Sequence, residues 1–233
     1  MIVFFDIGNC LYDPYSTFRQ TVEALGRGAV AEKMLTEIGT YPDQPGRHDA
    51  MLETFGFTKE EIEAYFQQFT HHPVFHAGVP ELLKELHENG VKLGVISDGH
   101  FDTQVSKLEA WGLSQYLDAE MVFIGSLPED QGRAPGVYPK GTQLKGSKHQ
   151  VETFHQIVKA LQERMDIEPA ECLMVGDDFV RDALHPIEAG WKGVWFVPNP
   201  PAASTMPEDE DASQVPTIVN LIDLKSYVSL EEE

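Results

Sequence analysis

Short, nearly continuous apolar runs alternate along the chain with longer amphipathic stretches. Residues 2–5, 92–96, 121–124, 172–175 and 193–196 are brief and rich in Val, Ile, Phe or Met, as parallel strands are when both sheet faces are covered. Between them, Val79, Leu82, Leu83 and Leu86 fall at helical spacing in 79–89, and Gly90 follows as a stop. The segment 151–164 repeats that pattern with Phe154, Ile157, Val158 and Leu161. Pro186 falls within a further helix after Asp182 and marks its first turn or a break. Residues 217–220 and 221–230 read as a last strand and helix.

Residues 14–76 differ. They hold no buried strand but several helical stretches, 16–25, 29–38 and 59–69, and Thr58-Lys59-Glu60-Glu61 forms a capping box. The fold class expected is therefore α/β, a Rossmann-like doubly wound parallel sheet with a small helical subdomain inserted after the first strand. The division expected is 1–13 with 77–233 for the sheet domain and 14–76 for the helical one, the latter over the carboxyl ends of the strands. Two segments read as loops. The stretch 125–147 carries Pro128, Gly132, Pro135, Gly136, Pro139, Gly141 and Gly146, and 198–216 is Pro-rich and acidic.

Composition narrows the function. The 233 residues include 38 acidic and 17 basic side chains, a net charge of −21, and such a field repels polyanions, so nucleic acid is excluded as a partner. Part of the acid is local, in 208–211 and 231–233, and reads as a solubility or salt-adaptation feature. No apolar run approaches the ~20 residues of a membrane span. No basic stretch precedes the first apolar run, so no secretory signal is expected. Cys10 and Cys172 make no metal or redox spacing, and a cytoplasmic setting is expected.

Four pieces carry candidate chemistry, each at or near a strand end. Asp6 directly follows the first strand, Ser97-Asp98-Gly99 ends the second, a lysine precedes the 151–164 helix, and Gly176-Asp177-Asp178 with Asp182 follows a later strand. Singly, an aspartate at a strand end is more often a cap or turn residue, and a lone serine there more often an N-cap. Their order along one chain is what points to a site.

That order resembles the haloacid dehalogenase superfamily over nearly the whole chain. The family's first motif, Asp-x-Asp-Gly-Thr-Leu, lies over Asp6-Ile7-Gly8-Asn9-Cys10-Leu11; Ser97 matches the second; Gly176-Asp177 and Asp182 match the fourth. The third is a lysine to be chosen from Lys140, Lys145 and Lys148. Lys148 is six residues before Phe154, the family's usual spacing, and is preferred, with Lys145 as the fallback. The inserted helices resemble the family's small cap. The resemblance implies a hydrolase with Asp6 as nucleophile, forming a covalent aspartyl intermediate, and Mg²⁺ held by Asp6, the carbonyl of Gly8 and Asp177. Ser97, Asp98 and Lys148 would bind the substrate, Ser97 and Lys148 also acting in catalysis. Asp178 and Asp182 would act behind the metal ligands. The implied partner is a small phosphorylated molecule.

The chain departs from the pattern at Gly8, where the family's phosphatases carry their second aspartate. That group protonates the leaving alcohol and activates water, a role typically worth ~10²–10⁴ in rate. Asp13, His100 or a cap residue are substitutes by position. Other readings are a substrate with a good leaving group, an inert binding or scaffold protein, a dehalogenase using Arg27 or Arg47, or a phosphonatase using Lys33 or Lys59. His71, His72 and His76 fit no zinc spacing and read as exposed hinge residues, Trp111, Trp191 and Trp195 as packing, Cys10 as a backbone or packing residue, and Asp98 alternatively as a cap of the next helix.

Overall fold

The structure is a computed structural model that describes residues 1–39, 47–125, 142–144, 146–198 and 215–228. The expected acidic runs at 208–211 and 231–233, and most of both expected loops, lie outside the described residues. So do Lys140 and Lys145. The chain divides into two compact units, Met1–Leu11 with Phe75–Glu233, and Tyr12–Val74.

The first unit is built on a parallel sheet of seven strands among the described residues: β1 (Ile2–Phe5), β2 (Lys92–Asp98), β3 (Val122–Gly125), β4 (Thr142–Leu144), β5 (Cys172–Gly176), β6 (Lys192–Phe196) and β7 (Thr217–Ile218). Their spatial order is β4-β3-β2-β1-β5-β6-β7, and every pair is parallel. The chain winds outward from β1 through β4, then returns to the other side of β1 to lay down β5. The sheet thus changes winding direction between β1 and β5, the place where open α/β sheets bind ligands beyond their carboxyl ends. Phe5 is level with Val95 on one side and Val175 on the other, so the residues following β1 and β5 emerge together.

Both faces of the central strands are dry, which explains their unbroken apolar sequence. Ile2, Phe4, Ile96, Phe123 and Met174 pack with Phe154, Ile157 and Leu161 of α7 (Val151–Gln162) and with Trp191. Val3, Phe5, Val95 and Val175 are equally buried outside that cluster, and α5 (Val79–Glu88) packs on β2 while α6 (Phe101–Ala110) packs on β3. The expected stop at Gly90 is present, with φ of +74°.

Tyr12–Val74 holds α1 (Pro14–Ala24), α2 (Ala31–Ile38), α3 (Arg47–Glu53) and α4 (Lys59–His71). Asp13 caps α1 by accepting from the N–H groups of Tyr15 and Ser16 and from the Ser16 hydroxyl. Thr58 and Glu61 close the capping box of α4. Phe18, Tyr65 and Phe69 form the aromatic centre, Phe18 edge-on to Tyr65 and Tyr65 stacked on Phe69.

Four elements differ from the sequence expectation. The helix α3 has one fully buried apolar residue, Met51, too few to show a periodicity. The helix α6 joins its buried face partly through Gln104 and Lys107, polar residues that hide the pattern. Strand β4 falls inside the segment read as a loop, where Pro and Gly outweigh its three residues. Of the 221–230 segment, the described residues form a 3₁₀ helix, Leu221–Tyr227, where an α-helix was expected. After β5 the chain makes a π-helical turn, Phe179–Leu184, before the short α8 (His185–Glu188), and Pro186 lies in the first turn of α8. Among the described residues no helix is long and apolar enough to cross a membrane.

Candidate active site

Asp6 continues the β1 ladder by one residue, its N–H donating to the Val175 carbonyl at 2.9 Å. Its carboxylate is therefore fixed at the carboxyl edge of the sheet. The chain then turns sharply: Leu11 N–H donates back to the Ile7 carbonyl, and Asn9 takes a positive φ of 55°, a conformation that asparagine tolerates better than most residues. From β5, Gly176 leads into Asp177. A Cβ at Gly176 would lie 2.3 Å from Asp182 Oδ2, so only glycine lets the π-helical turn bring Asp182 back over the strand end.

Asp6, Asp177 and Asp182 each present a carboxylate oxygen within 4.8 Å of the others. Lys148, 3% exposed, enters from the turn before α7. Its Nζ lies 2.5 Å from Asp6 Oδ1 and 2.7 Å from Asp182 Oδ1. Its N–H donates to Asp98 Oδ1 at 3.1 Å, and its carbonyl accepts from His185 Nδ1 at 2.9 Å. Side chain and backbone of Lys148 are thus both fixed, and α8 and the preceding turn hold it through His185 and Asp182.

Ser97 is the last residue but one of β2, one register step past Asp6, and is buried; its Oγ reaches the Asp98 carbonyl at 3.5 Å. Asp98 holds the Lys148 backbone with one oxygen, while its buried Oδ2 has no hydrogen-bond partner among the described residues. It does not cap α6, whose N-cap is His100. Asp178 accepts from the N–H of Arg181 and pairs with its guanidinium at 2.7 Å; it caps the turn that carries Asp182. Asp182 uses both oxygens, on Lys148 and on the Asp178 N–H.

The electrostatics of this cluster are unbalanced. Burial pushes Asp177 up to about 7, and the charges of Asp6 and Asp182 push in the same direction against Asn9 and Lys148. Asp182 is also raised, by burial first, with Lys148 opposing. Burial would lower the Lys148 ammonium, but Asp182, Asp6 and Asp98 more than offset it and hold it protonated. Asp178 is held low, its burial outweighed by Arg181. With Arg181 spent on Asp178, Lys148 is the one cation in contact with Asp6 and Asp182 among the described residues. Three close carboxylates against one ammonium leave room for a cation, and an all-oxygen donor set suits a hard divalent ion.

Several supporting residues were not apparent from sequence. Asn9 Nδ2 donates to Asp177 Oδ2 at 2.7 Å. The Asn9 carbonyl accepts from His76 Nε2 at 3.1 Å, so His76, read as an exposed hinge residue, instead braces the loop after β1. Trp195, read as packing, donates from Nε1 to the Asp177 carbonyl at 2.9 Å. Only Asn9 had a signal, a side chain where the family's motif has glycine. Cys10 is buried with its thiol directed to the Val175 carbonyl; burial and the three aspartates push it well above its ordinary range, so it is not a reactive thiolate. His71 and His72 are exposed.

A parallel sheet with an aspartate after its first strand, a fixed lysine and an acidic turn beyond its fifth describes a class of α/β hydrolases. The chain belongs to that class: residues 1–190 match the haloacid dehalogenase-like hydrolase family. Among curated proteins it is similar to N-acylneuraminate-9-phosphatase of Mus musculus, 27% identical over 165 residues that cover 68% of this chain and 57% of that protein. The matched region therefore spans little more than half of that relative. It is also similar to ribulose-1,5-bisphosphate 5-phosphatase of Halopiger xanaduensis, 24% identical over 96% of this chain and 98% of that one. Among solved structures, YfnB of Bacillus subtilis superposes with a TM-score of 0.58 at 18% identity, covering 98% of each chain.

Proposed function

We propose that this chain is a Mg²⁺-dependent phosphatase acting on a small phosphorylated metabolite through an aspartyl-phosphate at Asp6. The observation that carries the reading is the placement of Asp6 at the switch point of the sheet, touching Lys148 and within 4.8 Å of Asp177 and Asp182. Asp6, the carbonyl of Gly8 and Asp177 would hold the ion. When bound, Mg²⁺ supplies positive charge that offsets both the carboxylates and the phosphoryl oxygens. The names of the two curated relatives, both phosphatases, and the magnesium bound to YfnB support the same reading.

The contacts support the following roles. An Asp6 oxygen attacks phosphorus, and the bond from phosphorus to the leaving oxygen breaks. Lys148 and Ser97 hold phosphoryl oxygens as charge develops. Asp98 and His185 keep Lys148 in place, Asp182 orients its ammonium, and Asp178 caps the turn behind it. At position 8 no side chain is present to give the leaving oxygen its proton or to take one from water. Asp13 does not replace it, because both of its oxygens cap α1. Substrates with good leaving groups, such as acyl phosphates, are therefore favoured.

The dehalogenase alternative requires a free arginine from the helical unit. Arg27 is fastened to Glu61 and the Gly56 carbonyl and lies over the Phe57 ring; Arg47's side chain lies outside the described residues. Lys33, a phosphonatase candidate, pairs with Glu37 and lies over Phe55.

The test is a hydrolysis panel with p-nitrophenyl phosphate, acetyl phosphate and a 2-haloacid, with and without Mg²⁺, on wild type, Asp6→Asn and Gly8→Asp. Phosphate release that needs Mg²⁺, is lost in Asp6→Asn and rises in Gly8→Asp is the expected result. Halide release without Mg²⁺ would replace this reading with the dehalogenase one. A wild type inert on all three, rescued by Gly8→Asp, would point to a binding or scaffold protein.

A further inference from the structure

In this chain the two residues after Ile7 are glycine then asparagine, where the family's first motif has aspartate then glycine. The backbone makes a left-handed turn at the second of these, with Asn9 at φ 55°. The side chain that this exchange introduces is 4% exposed, and its amide donates to Asp177 Oδ2 at 2.7 Å. Two further bonds lock the arrangement from behind: His76 Nε2 holds the Asn9 carbonyl, and Trp195 Nε1 holds the Asp177 carbonyl. Asp177 is thus fixed through Oδ2 and through its main chain, and among the described residues no hydrogen bond holds Oδ1, the oxygen that faces a ligand in this reading.

We propose that Asn9 is a positioning residue that fixes the Asp177 carboxylate for the divalent cation and sets the site's preference for Mg²⁺. This rests on the Mg²⁺ reading of the Asp6–Asp177 cluster given above. A neutral amide suits the task, because it fixes the carboxylate while adding no cation to compete with the metal. Partners standing behind metal ligands are typically worth 10–100-fold in metal affinity. Magnesium demands near-ideal octahedral geometry, whereas calcium accepts irregular oxygen cages. Loosening Asp177 therefore weakens Mg²⁺ more than Ca²⁺.

The discriminating variant is Asn9→Gly. Glycine adopts φ 55° without strain, so the turn survives and only the amide is lost; a thermal melt without metal checks that the fold is intact. Calorimetric titration with MgCl₂ and, separately, CaCl₂ is then read for wild type and variant. The expected result is a roughly 10-fold or greater loss of Mg²⁺ affinity with a smaller loss for Ca²⁺, so that the Mg²⁺/Ca²⁺ preference falls. A folded Asn9→Gly protein with wild-type affinities for both ions, or with equal losses for both, overturns the proposal. A wild type that binds neither ion overturns the Mg²⁺ reading itself, which separates the two failures.

Discussion

Arg27 of the helical unit is matched where it stands: Glu61 takes its guanidinium in a two-pronged bond, Gly56 offers a carbonyl, and Phe57 lies beneath it. Glu61 in turn closes the cap of α4. Around Asp6 the sheet unit does the reverse, setting three carboxylates within 4.8 Å of one another against Lys148 and spending Arg181 on Asp178. Both regions are well bonded, yet only one is left with surplus charge of a single sign. Charge that closes on itself locally is structure. Surplus charge held in place by fixed neighbours marks where a ligand supplies the remainder.

The largest expected effect comes from removing the one counter-charge in the acidic cluster. Lys148→Met leaves Asp6 and Asp182 buried without their counter-charge, and breaking a buried pair typically costs ~3–5 kcal/mol. Urea unfolding of the metal-free protein is expected to show a loss of that order, with kcat/KM on acetyl phosphate falling ~10²–10³-fold. A Lys148→Met protein as stable as wild type would dissolve the contrast between the two regions.

Next comes the pH dependence of the metal-free protein. Asp177 is raised by burial and by Asp6 and Asp182, from an ordinary value near 4 to about 7, and Asp182 moves in the same direction. Between those values the folded state holds more protons than the unfolded chain, so stability falls as pH rises from about 4 to about 7. Asp178, held low by Arg181, works in the opposite sense but at lower pH. Melting temperatures read across this window are expected to decline with pH in EDTA and to flatten in excess Mg²⁺. A curve that rises through the window would show that the carboxylates are not in conflict.

The smallest effect belongs to the helical unit. Thr58→Ala opens the α4 capping box, at a cost of about 1 kcal/mol, and leaves phosphate release at saturating substrate unchanged. Equal losses of stability and kcat in this variant would remove the distinction between structural and functional charge.

Most of the sheet was legible in the sequence because its central strands are buried on both faces and appear as bare apolar runs. The elements that were not legible have physical reasons for it. The helix α3 buries too little, α6 buries polar side chains, and β4 is three residues long within a Pro- and Gly-rich stretch. At the site, Asp6, Asp177 and Lys148 stood out through the order and spacing they share with the motifs of the family that the chain resembles. The bonds that fix them did not, since Asn9 to Asp177, His76 to Asn9 and His185 to Lys148 join residues 168, 67 and 37 positions apart. No local pattern encodes such pairs; the parallel ladder and the π-helical turn create them.

The most direct test of the account is whether Asp6 becomes phosphorylated. Wild type, Asp6→Asn and Gly8→Asp would be mixed with acetyl phosphate and Mg²⁺, quenched in acid, and digested for peptide mass spectrometry. The account predicts a phosphoryl group on the Asp6 peptide of wild type that persists because Gly8 offers no base to activate water, that disappears in Asp6→Asn, and that turns over faster in Gly8→Asp. Consumption of acetyl phosphate by wild type with no adduct on that peptide, undiminished in Asp6→Asn, would contradict it.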